Sequence, residues 1–218
     1  DASECPPTFS TPPEMIVGII AGGALALTQA IEGAEDDEEA AVAELKRIQL
    51  QTTDVLVGIA TSGRTPYVLS AIRYAKSLGS PTIGVTCNDA TPMHEMVDTI
   101  IAPIVGPEVI TGSTRMKAGT ATKMILNMLT TGAMVRLGKT YGNLMVDLRA
   151  TNKKLQERCV RIVRTLTGLD EVAAQQLLVQ ANGQLKTAIV AHRCHLSIAD
   201  ARQRLRAARG HLRSALEG

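Results

Sequence analysis

The stretch from residue 54 to residue 66 constrains the fold of this chain more than any other. Apolar and β-branched residues dominate its first half, which predicts a buried strand of a parallel sheet at residues 54–60. The second half becomes small and polar, and Pro66 suits the first turn of a helix. Gly79 suits the end of that helix, so the stretch predicts a strand, a short turn and a helix over residues 66–78.

The turn of this unit carries Thr61, Ser62, Gly63, Arg64 and Thr65. Backbone N–H groups and the positive end of the helix dipole face such a turn, and hydroxyl groups add further donors. The turn therefore predicts a site for an anion, in particular a phosphate. Small hydroxyl residues also occur in ordinary loops between a strand and a helix, so that interpretation stays open.

Further apolar runs predict three more strands, at residues 14–20, 81–87 and 99–104. Helices are predicted over residues 24–31, 37–48 and 93–97, whereas four prolines before residue 14 predict a non-helical first segment. The alternation is typical of an α/β fold, a parallel sheet with helices on both faces. Ligands of such sheets lie at the carboxyl ends of the strands, where the turn at residues 61–65 is expected.

A polar loop over residues 106–117 leads into a long predicted helix at residues 115–137. Ser113 or Thr114 can cap this helix, and Arg115 and Lys117 lie in its first turn, where the dipole disfavours basic residues. A bound anion would explain them, although solvated basic residues fit the pattern equally well. Ser113, Arg115 and Lys117 are therefore candidate substrate-binding residues.

From residue 153 the chain changes to short predicted helices, at residues 155–166, 170–180, 184–192 and 197–216, with breaks at Gly168, Gly183 and Gly210. A boundary near residue 152 thus separates a first domain, residues 1–152, from a helical module, residues 153–218. The module contains no pattern with a chemistry of its own, so packing or contact with a partner is its expected role.

Charge and aromatic content exclude several classes of protein. Lys and Arg number 23 against 21 Asp and Glu, so no strong field for nucleic acid arises. The aromatic residues are one Phe and three Tyr, which argues against stacking on bases. The four cysteines are scattered, which favours a reduced, cytoplasmic protein, and the sequence shows no metal-ligand spacing and no membrane-spanning run.

An acidic run follows the predicted helix at residues 24–31. Asp36 or Asp37 can cap the helix at residues 37–48, and carboxylates in its first turn suit the helix dipole. Glu35 precedes the cap, so helix-start electrostatics explain it less well. It is a candidate for a chemical role.

Five segments together resemble the N-acetylmuramic acid 6-phosphate etherase family: residues 1–8 (DASECPPT), 32–36 (EGAED), 58–66 (GIATSGRTP), 106–120 (GPEVITGSTRMKAGT) and 142–147 (GNLMVD). The resemblance is dense over residues 1–152. Residues 153–218 resemble the C-terminal helical region of the family more loosely, and residues 177–189 are similar to a ubiquitin-associated-like (UBA-like) bundle.

This resemblance implies a sugar isomerase (SIS) fold, a flavodoxin-like sandwich, and a cytoplasmic homodimer that recycles cell-wall sugar. Members of the family cleave the D-lactyl ether of a sugar phosphate by elimination and hydration, without a metal or organic cofactor. Their two catalytic glutamates map onto Glu4 and Glu35. Removing a proton beside a carbonyl and protonating a poor leaving group requires two carboxyl groups in opposite protonation states. We expect Glu35 to be the base and Glu4, in a proline-braced loop with less solvent, to be the acid.

The resemblance also implies an upstream helical segment and a first strand with another Thr-Ser-Gly-Arg-type loop, which this sequence does not contain. We therefore expect part of the sugar-phosphate pocket to lie outside this sequence. Two alternatives stay open: an aldose–ketose isomerase, and a non-catalytic sugar-phosphate sensor akin to the glucokinase regulatory protein. The presence of both Glu4 and Glu35 favours the etherase.

Overall fold

The parallel sheet expected from the apolar runs is present and has three strands, in the order β1 (Leu56–Ile59), β2 (Thr82–Val85) and β3 (Thr99–Ile101). All neighbours are parallel, and Gly58 lies opposite Gly84 in the register of β1 and β2. The computed structural model describes residues 1–148, 150 and 152–218. These residues form two compact units, 18–126, which holds the sheet, and 1–17 together with 127–218.

Four helices accompany the sheet in chain order: α2 (Glu38–Arg47), α3 (Pro66–Leu78), α4 (Pro92–Met96) and the first turns of α5 (Lys117–Arg136). Tyr67 and Ala71 of α3 pack with Ala41 and Leu45 of α2 in one apolar cluster. Burial of these amphipathic faces holds the two helices together, because apolar surface leaves water there.

Two glycines allow the helices to approach the sheet closely. A Cβ atom at Gly58 would lie 2.8 Å from Ile72 Cδ1 of α3, and one at Gly84 would lie 2.8 Å from Met93 Cγ of α4. Ile72 and Met93 are fully buried. Any larger residue at either glycine would force the packed side chains apart, so these positions fix the layer spacing.

The strand predicted at residues 14–20 is wrong. A single 3₁₀ turn covers Pro13–Met15, and residues 16–20 pair with no strand in the described part of the chain. The helix predicted at residues 24–31 is reduced to a 3₁₀ turn, Gly23–Leu27, with Leu25 and Leu27 exposed. An apolar run becomes a strand only where a neighbouring strand accepts its hydrogen bonds, and that condition is not met here.

The prediction of a non-helical first segment is also wrong. A 3₁₀ turn over Ala2–Glu4 continues into the short helix α1, Cys5–Phe9. Pro6 and Pro7 lie in the first turn of α1, where the missing N–H groups have no partner in any helix. Prolines therefore do not prevent a helix that begins directly before them.

The second unit is predominantly helical. After α5 it contains the antiparallel pair β4 (Thr140–Tyr141) and β5 (Leu144–Met145), and then five helices: α6 (Lys153–Thr167), α7 (Glu171–Gln180), α8 (Leu185–Arg193), α9 (Ile198–Ala207) and α10 (Leu212–Glu217). Val163, Ala188 and Ile189 lie at the centre of its apolar core, which Val146 also joins. The predicted break at Gly210 separates α9 from α10.

Side chains cap three of these helices. Asn152 accepts a hydrogen bond from Leu155 N (2.9 Å), Asp170 from Ala173 N (2.8 Å) and Ser197 from Asp200 N (3.1 Å). Such caps satisfy N–H groups that have no partner within the helix. Within the described residues, no helix is both long enough and apolar enough to cross a membrane.

Candidate functional site

The strand-end loop, residues 61–65, joins β1 to α3 at the carboxyl end of the sheet. Its turn is closed by a hydrogen bond from Gly63 N to Ala60 O (2.9 Å), and Gly63 has a φ of +64°. A Cβ atom at this glycine would lie 2.2 Å from Thr91 Oγ1, so both its conformation and its surroundings require glycine. The conformation of the loop is therefore determined by its own backbone and by its packing against Thr91.

The N-terminus of α3 faces this loop without a side-chain cap. Thr65 is the N-cap residue, yet in the described part of the chain its hydroxyl makes no capping hydrogen bond. Ser62 Oγ accepts from Arg64 N at 3.3 Å, and both Ser62 and Arg64 are exposed. N–H groups at the start of α3 are consequently free to donate to an anion, and the helix dipole favours negative charge there.

The loop is tied to the end of β2 through one carbonyl. Thr61 O accepts hydrogen bonds from Cys87 N (3.0 Å), Thr86 Oγ1 (2.9 Å) and Asn88 Nδ2 (2.8 Å). Cys87 also contacts the start of α5, since its Sγ lies 3.9 Å from Ala118 O. The structure thus brings the strand-end loop and the first turn of α5 to the same end of the sheet.

A carboxylate already occupies the N-terminus of α5. Glu108 Oε2 accepts from Lys117 N (3.1 Å), and Glu108 Oε1 accepts from Ala118 N (2.9 Å). These two hydrogen bonds hold the pKa of the Glu108 carboxyl below its ordinary value. The chain itself therefore supplies a negative charge at this helix start, where a bound anion was one of the two interpretations left open by the sequence.

Lys117 completes this arrangement from the other side, because its Nζ donates to Pro107 O at 2.8 Å. We call the two interactions the Glu108–Lys117 clamp. The clamp closes the loop of residues 109–116, which carries Ser113 and Arg115 and exposes Val109 and Ile110. Sequence reasoning missed the role of Glu108, because no local spacing rule relates a carboxylate to a helix start nine residues later.

The predicted catalytic glutamates are both exposed. Glu35 lies in a 3₁₀ turn, Ala34–Asp36, after Gly33 with its φ of +73°. Asp37, two residues after Glu35, caps α2 by accepting from Ala40 N at 2.9 Å. Glu35 is therefore outside the capping interaction, as the sequence indicated. In the described residues its carboxylate accepts no hydrogen bond.

Glu4 belongs to the other compact unit and lies where the first 3₁₀ turn meets α1. We expected a shielded side chain there, but Glu4 is exposed, because only Cys5 of α1 faces the interior. Among the described residues, no three His, Cys, Asp or Glu side chains are arranged so as to hold a metal ion.

Two family models match the chain. The N-terminal SIS domain of glucokinase regulatory protein matches residues 4–76, and the C-terminal lid domain of the same protein matches residues 142–186. The parallel sheet, the strand-end loop and these matches define a SIS-domain protein with a C-terminal lid domain. The expected SIS-type α/β fold is thereby confirmed.

Similar proteins show to which family of SIS-domain proteins this chain belongs. Three relatives of this chain are named N-acetylmuramic acid 6-phosphate etherase. The protein from Rhodopirellula baltica is 60 % identical to this chain over 212 residues, that from Pasteurella multocida 54 % over 216 residues, and that from Yersinia pestis 53 % over 216 residues. The matches cover 97 %, 99 % and 99 % of this chain and 70 %, 72 % and 73 % of those proteins. This chain belongs to the N-acetylmuramic acid 6-phosphate etherase family. The resemblance seen in its motifs is confirmed, and the relatives favour the etherase over the isomerase and the sensor.

Proposed function

We propose that this protein is a carbon–oxygen lyase that cleaves the D-lactyl ether of N-acetylmuramic acid 6-phosphate, giving N-acetylglucosamine 6-phosphate and D-lactate. The observation that carries the proposal is the identity of 53–60 % to etherases over nearly the whole chain. A cytoplasmic role in recycling cell-wall sugar follows from this reaction.

The strand-end loop is the proposed binding site of the 6-phosphate. Ser62, Gly63, Arg64 and Thr65 surround the uncapped start of α3, where hydroxyl and backbone donors meet the positive dipole end. Ser113 and Arg115 lie in the loop that the Glu108–Lys117 clamp closes at the start of α5. We propose that these two residues, and the Lys117 ammonium after release from Pro107, contribute further polar contacts.

The reaction needs one base and one acid. With the sugar ring open, Glu35 removes the C2 proton, the C2–C3 double bond forms in conjugation with the C1 aldehyde, and the C3–O bond breaks. Glu4 gives a proton to the departing lactate oxygen, and water then adds at C3 while C2 regains a proton. Each proton transfer of this kind contributes roughly 10²–10⁴-fold to the rate. No electron acceptor enters this balance, so we propose that no cofactor takes part.

A homodimer is also proposed. The helix α5 and the residues on either side of it expose large apolar side chains, namely those of Met116, Met124, Met128, Val135 and Leu137. An isolated surface helix rarely leaves so many large apolar groups in water, and a second copy of the chain would cover them.

Release of D-lactate from N-acetylmuramic acid 6-phosphate tests the proposed function directly. The etherase predicts lactate and N-acetylglucosamine 6-phosphate in equal amounts. A ketose phosphate without lactate would instead identify an isomerase, and saturable binding of the sugar phosphate without turnover would identify a sensor. Either outcome would overturn the proposal.

A further inference from the structure

A groove of about 860 Å³ lies within the unit formed by residues 1–17 and 127–218, and no sequence motif indicates it. Its walls come from Ser10, from the segment after β5, and from the connections between α7 and α8 and between α9 and α10. A volume of this size suits a small organic ligand. None of the residues assigned above to the reaction or to the strand-end loop lines it.

The groove includes a lysine that shares its counter-charge with a second ammonium group. Asp147 Oδ2 accepts from Lys186 Nζ at 3.1 Å and also from Lys139 Nζ at 2.9 Å. One carboxylate thus serves two ammonium groups. The Lys186 side chain is only 11 % exposed, and its Nζ also donates to Gly210 O at 2.8 Å. Burial lowers the pKa of Lys186. A buried cation that shares its counter-charge is stabilised further by any anion that reaches it.

Two arginines on the rim add to this field. Arg206, on α9, and Arg209, just after it, line the same groove, and neither side chain has an ion-pair or hydrogen-bond partner among the described residues. Guanidinium groups bind phosphate and carboxylate oxygens through two parallel N–H donors. Both are therefore available to a ligand.

The neutral groups of the groove also include donors without partners. Ser10 Oγ is buried and has no hydrogen-bond partner in the described structure. Gln184 Oε1 already accepts from Thr187 Oγ1 (3.1 Å) and Arg202 Nε (2.9 Å), which leaves its amide NH₂ group to donate. The groove is consequently rich in donors, a pattern that matches a ligand with several acceptor oxygens.

We propose that this groove is a second anion site, which binds a phosphate monoester through Arg206 and Arg209 over the positive charge of Lys186. The site does not depend on the etherase reaction. A phosphorylated sugar, whether a product of sugar metabolism or a regulatory metabolite, carries the phosphate monoester group that this site requires.

Glycine amides report on this site separately from the strand-end loop. In protein labelled with ¹⁵N-glycine, Gly183 and Gly210 lie in the groove and Gly63 lies in the strand-end loop. Titration with inorganic phosphate, and then with glucose 6-phosphate, should shift Gly183 and Gly210 along a saturating curve. The double variant Arg206→Ala/Arg209→Ala should raise the apparent Kd obtained from these two amides by roughly tenfold or more. It should leave the response of Gly63 unchanged.

The matched control is Arg161→Ala/Arg193→Ala, which removes the same charge from exposed positions outside the groove. It should leave the groove response intact. The proposal is overturned if phosphate does not move Gly183 and Gly210, if the two double variants weaken binding equally, or if neutral glucose moves these amides as much as glucose 6-phosphate does. The experiment measures amide shifts and not lactate release. Its result therefore tests the anion site even if the protein does not have the proposed etherase activity.

Discussion

Glu35 and Glu4 are placed on short, exposed turns rather than within regular helices. Replacement by Gln keeps the shape of each side chain but removes proton transfer. We expect Glu35→Gln to lose both lactate release and exchange of the C2 proton with solvent deuterium, by roughly 10²–10⁴-fold, because the base acts before the bond breaks. Glu4→Gln should lose lactate release but keep part of the C2 exchange.

Glu32→Gln is the control for these substitutions, since Glu32 is an exposed neighbour that the proposed chemistry does not use. It should keep both activities. Wild-type exchange in Glu35→Gln would refute the assignment of the base. Loss of exchange in Glu4→Gln alone would show that the two roles are reversed.

Ser62 is the exposed hydroxyl residue of the strand-end loop, and among the described residues its Oγ accepts only from Arg64 N. A bulky apolar residue there would remove a donor to the phosphate and block the start of α3. We expect Ser62→Leu to raise KM by roughly tenfold to a hundredfold with a smaller change in kcat, as for loss of a hydrogen bond to a charged group. Ser77→Leu, at the other end of α3 and also exposed, should leave KM unchanged. If the two variants had equal KM values, the assignment of the strand-end loop to phosphate binding would be wrong.

At the scale of one element, the Glu108–Lys117 clamp determines how the loop of residues 109–116 reaches α5. Glu108→Gln keeps one acceptor oxygen but removes the charge and places an NH₂ group against a backbone N–H. We expect trypsin to cleave after Arg115 and Lys117 roughly fivefold faster in this variant, because loss of a helix cap loosens the loop. Asp170→Ala removes a side-chain cap on α7 and should not change cleavage at these two sites. Unchanged cleavage in Glu108→Gln would show that the loop is held by other contacts.

The same clamp has a defined dependence on pH. Its carboxyl has a pKa below the ordinary value in the folded state, because two backbone N–H groups donate to it. Its contribution is therefore complete above the ordinary glutamate pKa and is lost as the pH falls through the lowered folded-state pKa. The amide shifts of Lys117 and Ala118 should report this transition on the acid side of the ordinary value. A transition at or above that value would contradict the hydrogen-bond geometry.

Single elements also show what the sequence could predict. The helix α3 was predicted at residues 66–78 and lies at Pro66–Leu78, because Pro66 and Gly79 mark its ends chemically. The pair β4–β5 was missed, since strands of two residues carry no periodicity, although Gly142-Asn143 is a recognisable hairpin turn. Residues 14–20 show the opposite failure, because an apolar run does not reveal whether another strand lies beside it.

The candidate site was predictable to the extent that it is local. The hydroxyl residues of the strand-end loop follow from the transition between strand and helix. The clamp and the shared lysine pair on Asp147 could not be predicted, because their partners are eight or more residues apart and meet only through the tertiary fold. Charge networks of this kind leave no periodic pattern in a sequence.

For the whole molecule, the exposed apolar side chains of α5 lead to a prediction about assembly. Sedimentation velocity of the native protein should give the mass of two chains. The double variant Met124→Glu/Met128→Glu should give the mass of one chain, because dimer formation would bury two charges that have no partners. Val172→Glu changes an equally exposed apolar residue on α7 and should leave the mass unchanged. A wild-type protein that sediments as one chain at all concentrations would refute the dimer.

The three donors that converge on Thr61 O have a consequence for the thermodynamics of ligand capture. A loop that is immobilised by the neighbouring strand end, and by a glycine with no room to move against Thr91, has already lost its conformational freedom before a ligand arrives. Phosphate binding then carries little ordering entropy, and more of the interaction energy remains as affinity. Titration calorimetry should therefore show a less unfavourable binding entropy for the native protein than for Thr86→Val/Asn88→Ala, which removes two of the three donors and frees the loop.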